Sequence, residues 1–229
     1  MRNRFFIDGD LASGAVVGLQ DDERHHARVL RVREGEEVEV FNGRGDSYLA
    51  KYESSDVIRL MQRTATREGR TAIHLAMSII QIDKFELVLQ KATELGVRSI
   101  IPLITERIEV RPERYRGKED RWRKIIFEAV KQSGRAEIPT LEPAARFEEV
   151  VARPGAKIIF DADAEPTATR PLDNPTNALI GPEGGWSDDE LRMAREHRCI
   201  FQTLGPRRLR AETAAIAAMA ILAAPSEHI

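Results

Sequence analysis

From residue 72 onward, short apolar segments of strand length alternate with segments in which apolar residues recur at helical spacing. This alternation restricts the possible folds more than any other feature of the sequence. Amphipathic helices are indicated because apolar residues recur every three to four positions, most clearly from Trp122 to Val130. Such alternation is typical of a parallel sheet covered by helices, so we predict an α/β fold class for residues 72–229. The predicted strands are 73–80, 99–104, 157–160, 177–180 and 200–204.

The part of the chain before residue 64 has a different rhythm, in which short strands are joined by turns and interrupted by one amphipathic helix. Residues 36–41 alternate charged and apolar side chains, the sequence NGRGD at 42–46 indicates a tight turn, and residues 48–52 supply the return strand. The polar segment 64–71 then separates this part from the rest. We therefore predict a small β-barrel or sandwich domain at 1–68, followed by the α/β domain.

Two helix starts carry the spacing of a capping box, in which a polar residue and an acid three positions later satisfy each other's backbone N–H groups. Ser187 with Glu190 predicts one such start, and Asp83 with Glu86 predicts another. The last predicted helix, 211–224, consists almost entirely of small residues. Small side chains allow a helix to pack closely on a sheet or on a partner subunit.

Composition excludes several classes of protein. Of 229 residues, 42% are hydrophobic and 31% are charged, which is typical of globular chains. The longest apolar run, 214–224, has about half the length of a membrane-spanning helix, and the charged N-terminus does not resemble a secretion signal. Cys199 is the only cysteine, so an intramolecular disulfide and an all-cysteine metal site are excluded. His25 and His26 have no Cys or Asp at ligand spacing, so we predict no metal. The short apolar run predicts no membrane span, and the single cysteine favours a cytoplasmic location.

The net charge of −2 is the sum of an uneven distribution along the chain. Residues 98–135 carry 11 basic and 6 acidic side chains, whereas residues 136–197 carry 6 basic and 13 acidic ones. Arginine, whose planar guanidinium suits phosphate groups, dominates the basic residues. Two interpretations stay open: the 98–135 cluster forms a phosphate-facing surface, or a GC-rich genome simply favours arginine codons.

Two loops that follow predicted strands are the best candidates for a functional site. The glycine loop, 181–186, has the sequence GPEGGW, and the arginine loop, 204–213, has the sequence LGPRRLRAET. Because ligands collect at the carboxyl ends of strands in open α/β sheets, we expect the two loops to form one pocket. Neither matches the dinucleotide pattern G-x-G-x-x-G or the phosphate-binding pattern G-x-x-x-x-G-K-[ST], so those cofactor classes lose support.

Each loop also has a structural interpretation that needs no ligand. The glycine loop is consistent with a tight turn. The side chains of Arg207, Arg208 and Arg210 are consistent with a solvated charge cluster. Glu212 is consistent with an acid in the first turn of a helix, where the helix dipole favours a negative charge.

The two loops together closely resemble the bacterial 16S rRNA uracil-N3 methyltransferase family, which belongs to the trefoil-knotted SPOUT superfamily. The matching sequences are IGPEGG at 180–185 and LGPRRLRAETA at 204–214. Further stretches agree in order along nearly the whole chain: 4–6 (RFF), 25–35 (HHARVLRVREG), 91–97 (KATELGV) and 128–135 (EAVKQSGR). One departure is Arg208, which stands where the resemblance leads us to expect an apolar residue before Leu209.

The resemblance implies a fold, a cofactor and partners that the spacing alone did not reveal. The N-terminal domain would be PUA-like and would help to hold RNA, and the C-terminal domain would be knotted and would bind S-adenosyl-L-methionine. A homodimer would be needed for a complete site, and the substrate would be ribosomal RNA or the small ribosomal subunit. The implied cofactor-binding residues are Phe160, Ile180, Gly181, Glu183, Gly184, Gly185, Leu204, Gly205 and Leu209.

Residue roles in catalysis and RNA binding follow from the same resemblance. Arg210 is the first choice for steering the uracil or its phosphate, and Glu212 is the second choice, for proton handling. The predicted RNA contacts are Arg24, Arg28, Arg31, Arg107, Arg135 and Arg207.

Two other functions stay open at this point. A methyltransferase of the same superfamily acting on another RNA, such as a tRNA ribose or base, would carry similar loops. A non-catalytic RNA-binding assembly factor would use the basic stretch but would not bind S-adenosylmethionine.

Overall fold

The computed structural model describes residues 2–54, 57–69, 72–165 and 175–224. The chain divides into two compact units. The first unit comprises Met1–Glu68 and Val130–Ile138, and the second comprises Gly69–Ala129 and Pro139–Ile229. The grouping of residues 130–138 with the first unit is not predictable from local sequence patterns.

The first unit is a five-stranded sheet with one helix in the described residues. Its elements are β1 (Arg4–Phe6), β2 (Val16–Gly18), α1 (Asp21–Leu30), β3 (Glu37–Phe41), β4 (Ser47–Ser54) and β5 (Val57–Arg63). The strand order is β1-β3-β4-β5-β2, with β1 parallel to β3 and the other pairs antiparallel. Alternate residues such as Val38, Val40, Ile58 and Leu60 fill the core. The strands predicted at 36–41 and 48–52 are confirmed, whereas closure into a barrel stays a prediction.

The second unit is a parallel sheet with helices, so the predicted α/β fold class is confirmed. Its elements are β6 (Ile73–Ser78), α2 (Ile82–Glu94), β7 (Ser99–Ile104), α3 (Pro112–Tyr115), α4 (Glu119–Ser133, whose last turn counts with the first unit), β8 (Thr140–Leu141), β9 (Ala145–Arg146), α5 (Phe147–Val151), β10 (Ala156–Phe160), β11 (Thr176–Ile180), α6 (Asp188–Glu196), β12 (Ile200–Gln202) and α7 (Ala211–Ala223). The strand order is β12-β10-β11-β6-β7-β8, with β9 beside β7. β10 therefore lies between β11 and β12 in the sheet, although it precedes both in the sequence. The predicted knot stays a prediction.

The two predicted capping boxes have different outcomes. At α6 the box is confirmed, because the Glu190 N–H donates to Ser187 Oγ and the Ser187 N–H donates to the Glu190 carboxylate. At α2 the prediction is wrong: the helix begins at Ile82, one residue before Asp83, and its N-cap Gln81 makes no side-chain capping bond. Because Asp83 already lies inside the helix, its side chain is not in the N-cap position.

The Arg4 side chain binds the segment in which α4 ends, and both belong to the first unit. It is 7% exposed, and its guanidinium donates hydrogen bonds to the carbonyls of Val130 (2.9 Å), Lys131 (3.0 Å) and Arg135 (2.8 Å). A cation at the C-terminus of a helix pairs with carbonyls that have no partner within the helix. Burial lowers the pKa of the Arg4 guanidinium, and Glu39, 3.2 Å away, acts in the opposite direction.

We expect the substitution Arg4→Met to lower the free energy of unfolding by about 3 kcal/mol, because it removes a buried cation that binds three carbonyls and the Glu39 carboxylate. Urea denaturation followed by circular dichroism measures the change. The control is Arg2→Met, which breaks an exposed ion pair with Glu37 and should cost less than about 1 kcal/mol. Equal losses in the two variants would contradict the assigned role of Arg4.

A chain of polar side chains links the amino ends of the central strands of the second unit. His74 Nδ1 lies 2.7 Å from Ser99 Oγ, which donates to Glu142, and Glu142 accepts from Arg153 at 2.8 Å. Burial lowers the pKa of His74, while the nearby Glu142 raises it. Because the pKa of His74 is lowered from its ordinary value near 6.5, its imidazole is neutral in the folded protein at neutral pH.

Stability should fall as the pH is lowered through the range between the lowered pKa of His74 and its ordinary value near 6.5. In that window the unfolded chain binds a proton that the folded chain does not. Denaturation curves recorded from roughly pH 5 to 8 should show a smaller pH slope for His74→Asn than for the wild type. His25→Asn, at an exposed position of α1, is the control. An unchanged slope in His74→Asn would contradict the role of this imidazole.

Candidate active site

The glycine loop and the arginine loop line one cavity of about 790 Å³ in the second unit. The cavity lies where β10, β11 and β12 end, as expected for ligand sites of parallel sheets. All nine residues predicted to bind the cofactor line it: Phe160, Ile180, Gly181, Glu183, Gly184, Gly185, Leu204, Gly205 and Leu209. Arg107, Arg207 and Arg210 line the same cavity. The expectation that the two loops form one pocket is therefore met, while the role of each residue stays a prediction.

Trp186 holds the glycine loop against the end of β10. Its indole N–H donates to the Phe160 carbonyl at 2.9 Å, and its side chain is buried. The ring also covers Gly181, where an added Cβ would lie 3.0 Å from the indole. Only glycine fits at this position without moving the tryptophan. The tryptophan therefore fixes the shape of the cavity wall.

The remaining glycines serve the loops for two different reasons. Gly185 and Gly205 have φ angles of 68° and 107°, in the region that other residues rarely adopt. At Gly184 an added Cβ would lie 3.2 Å from Cβ of Arg107, whose guanidinium donates to the Gly184 carbonyl at 3.1 Å. Protein atoms therefore already occupy the space beside Gly184.

The arginines of the arginine loop differ in their partners. Arg208 lies 3.5 Å from Asp163 in an exposed ion pair. The side chains of Arg207 and Arg210 are exposed and have no ion-pair or hydrogen-bond partner among the described residues. Arg210 is also the N-cap residue of α7, and its side chain makes no capping bond. Both guanidinium groups can therefore bind an anionic ligand at the cavity.

Glu212 does not lie on the cavity wall. It occupies the first turn of α7, where it is 9% exposed, and its Oε2 has no hydrogen-bond partner among the residues that the structure describes. The structure thus brings Arg210 to the cavity and keeps the Glu212 carboxylate inside the packing of the helix. The predicted role of Glu212 in proton handling stays a prediction.

The arginines predicted to contact RNA fall into three groups. Arg28 and Arg31, at the end of α1, are exposed, and Arg24 donates to the Leu19 carbonyl at 2.8 Å. Arg107 and Arg207 are exposed on the cavity of the second unit. Arg135 is a correction to the prediction: it is 3% exposed and forms an ion pair with Glu68 at 2.8 Å. Because its guanidinium is buried, it has no surface to offer a phosphate.

Sequence reasoning missed Asp161, which directly follows β10 and lines the cavity. The available signal was its place as the first residue after a strand, the position where site residues collect in parallel sheets. In the described part of the chain, no three His, Cys, Asp or Glu side chains are grouped so that they could hold a metal ion. Likewise, no helix within the described ranges is long and apolar enough to span a bilayer.

The chain is similar to known RNA methyltransferases. The model of the RNA methyltransferase domain matches residues 67–223, and that of the RNA methyltransferase PUA domain matches residues 19–57. The chain is 31% identical to ribosomal RNA small subunit methyltransferase E of Buchnera aphidicola subsp. Acyrthosiphon pisum, over 96% of this chain and 92% of that protein. It is 29% identical to the protein of the same name from Rickettsia conorii, over 95% of this chain and 93% of that protein.

A solved structure extends the likeness to three dimensions. The crystal structure of a ribosomal RNA small subunit methyltransferase E from Neisseria gonorrhoeae, bound to S-adenosyl methionine, has a TM-score of 0.88 to this chain at 33% identity. The alignment covers 97% of each chain. Because the family model spans more than half of the sequence and the likeness extends over both units, this protein belongs to the RNA methyltransferase family that includes ribosomal RNA small subunit methyltransferase E.

Proposed function

We propose that this methyltransferase uses S-adenosylmethionine to methylate N3 of a uridine in 16S ribosomal RNA of the small subunit. The observation that carries the proposal is the single cavity shared by the glycine loop and the arginine loop. The names of the relatives support ribosomal RNA of the small subunit as the substrate class. The choice of N3 rests on the likeness of the two loops to the uracil-N3 methyltransferases.

The cavity fits S-adenosylmethionine in size and in chemistry. Its volume of about 790 Å³ lies within the roughly 300–1,000 Å³ typical of small-molecule sites. Phe160, Ile180, Leu204 and Leu209 supply apolar surface for an adenosine. The lining carries charges of both signs. Its arginines suit the carboxylate of the cofactor, and its acids suit the positive sulfonium and ammonium groups: Asp161, Asp163, Glu183 and Asp188.

The residues of this chain bind the cofactor, orient the uracil and stabilise the charge that develops on it. When bound, the cofactor supplies an electrophilic methyl group. The two loops hold the adenosine and methionine parts, and the Arg210 guanidinium stabilises negative charge that develops on the uracil ring as N3 loses its proton. The target base has to be unpaired or turned out of its stack to enter the cavity.

RNA binding would use exposed arginines in each unit. Arg28 and Arg31 of the PUA-like unit and Arg107 and Arg207 of the second unit would contact phosphates. Because such contacts release counterions, affinity for RNA should fall steeply with salt concentration. The proposal further includes a homodimer, in which the small-residue helix α7 meets a partner subunit, a knotted C-terminal region and a cytoplasmic location.

The experiment that tests the proposed function is mass mapping of ribosomal RNA from a strain that lacks the modification. Assembled small subunits, free ribosomal RNA and tRNA are each incubated with the protein and with isotopically labelled S-adenosylmethionine. We expect one labelled uridine in small-subunit RNA, with the chromatographic mobility of 3-methyluridine. Label in tRNA or on a ribose hydroxyl would replace the proposal with the other methyltransferase function. Absence of cofactor binding would favour the assembly factor.

A further inference from the structure

Methylation of a uracil at N3 needs a proton acceptor, and this inference rests on the function proposed above. Neutral uracil carries a proton on N3, which has to leave when the methyl group is added. Glu212 lies off the cavity wall of this chain, and four other carboxylates line the cavity. These are Asp161, Asp163, Glu183 and Asp188.

Asp161 has the most central position of the four. It is the first residue after β10, and β10 lies between β11 and β12, the strands that lead into the glycine loop and the arginine loop. Its backbone N–H donates to the Gln202 carbonyl at 3.0 Å, which extends the pairing of β10 with β12 by one bond. The side chain therefore starts from a fixed point between the two loops.

The Asp161 carboxylate is oriented and still has free acceptor capacity. Its Oδ1 accepts a hydrogen bond from the Asp163 N–H at 3.2 Å, which limits rotation of the side chain. No basic side chain within the described ranges pairs with it. Asp161 is half-buried, so its carboxylate is partly withdrawn from water. An oriented carboxylate with an open oxygen is what proton abstraction in a cavity requires.

The other three acids are less suited to this role. Asp163 is exposed and forms an ion pair with Arg208. Asp188 is exposed at the first position of α6, where the helix dipole stabilises its charge. Glu183 is exposed in the glycine loop. The remaining charged groups on the cavity wall are cations: Arg107, Arg195, Arg207, Arg208 and Arg210.

We infer that Asp161 is the proton acceptor of the reaction. As the N3–CH₃ bond forms, the C–S bond of the cofactor breaks and its electron pair stays on sulfur. The N3–H bond breaks, its electron pair stays in the uracil ring, and the proton passes to Asp161 Oδ2. The positive sulfonium and the negative carboxylate are both neutralised. The products are S-adenosylhomocysteine, 3-methyluridine and a protonated Asp161, which returns its proton to water.

The test compares Asp161→Asn with the wild type in single-turnover methyl transfer across a range of pH. The asparagine is isosteric, and its side-chain oxygen can still accept from the Asp163 N–H, so the loop should keep its shape. We expect nearly unchanged affinity for S-adenosylmethionine by calorimetry and a rate about 100- to 10,000-fold lower at neutral pH. The loss should shrink as the pH rises and N3 begins to ionise on its own. Asp189→Asn, an exposed acid of α6 off the cavity wall, is the control.

Three results would overturn the inference. A weakened cofactor affinity that accounts for the whole loss, with an unchanged pH profile, would make Asp161 a cofactor contact. A normal rate in Asp161→Asn together with a slow Asp163→Asn would move the role to Asp163. A failure of formate to raise the rate of Asp161→Ala would speak against a carboxylate acceptor at this place.

The same preparation separates this inference from the proposed function. If wild-type product contains 3-methyluridine and Asp161→Asn is as fast as wild type, only the inference fails. If the wild-type protein methylates a ribose oxygen or tRNA, the proposed function fails, and the inference fails with it.

Discussion

Replacing Arg210 with alanine should slow methyl transfer by about 100- to 1,000-fold, while the affinity for S-adenosylmethionine stays nearly the same. Arg210 lines the cavity, its side chain has no protein partner in the described structure, and it makes no bond that caps α7. Replacing it should therefore neither leave another side chain without its partner nor weaken α7. A positive group that acts on charge developing during the reaction affects the rate more than the binding of the ground state.

The measurement is single-turnover transfer to small-subunit RNA, with cofactor affinity determined separately by calorimetry. Arg210→Lys, which keeps the charge but loses the planar guanidinium, should fall between the alanine variant and the wild type. Arg192→Ala is the matched control, because Arg192 pairs with Asp189 and Glu196 on the surface of α6. An alanine variant at position 210 with the wild-type rate would remove Arg210 from the mechanism.

Replacing Gly185 with valine should weaken cofactor binding by about 10- to 100-fold without unfolding the protein. Gly185 has a φ of 68°, which a β-branched residue adopts only with strain of about 1–3 kcal/mol. The free loop escapes this strain by moving to another conformation. Binding then has to restore the original shape, and the strain appears as lost affinity.

Calorimetric titration with S-adenosylmethionine and a thermal melt together check this result. Gly14→Val is the control, because Gly14 has a similar φ of 82° and, like Gly185, no atom within 4 Å of an added Cβ, but it belongs to the first unit. It should keep the cofactor affinity of the wild type. Normal binding by Gly185→Val would show that the glycine loop is not part of the cofactor site.

The position of the site was predictable because it depends on local signals. Glycine and proline mark loops, apolar runs mark strands, and the rule for carboxyl ends of parallel strands brings the loops together. The strands β8 and β9 and the helices α3 and α5 escaped prediction, because elements of two to five residues are too short to show a period. The sequence therefore predicted the position of the cavity, but not the contacts that shape its walls.

What could not be predicted depends on contacts between residues far apart in the chain. Arg135 sits in a basic stretch that predicts a phosphate contact, yet Glu68, distant in sequence, forms a buried ion pair with it. A side chain at position 184 would crowd Arg107, and no local sequence pattern reveals this contact. Glu212 is predicted to handle a proton, but it is buried in the first turn of α7 and is not among the residues that line the cavity.

The distribution of the first unit over two separate stretches of sequence has a consequence for protein synthesis. Arg4 finds its carbonyl partners only in the residues from Val130 onward, so a nascent chain of 68 residues cannot complete this unit. At translation rates of about 5–20 residues per second, it waits about 4–14 s before residue 138 is added. During that interval Arg4 lacks its three carbonyl partners, although the hydrophobic core of the sheet is complete, so a gene fragment cut at codon 68 should yield a less stable product than the same unit in the full chain.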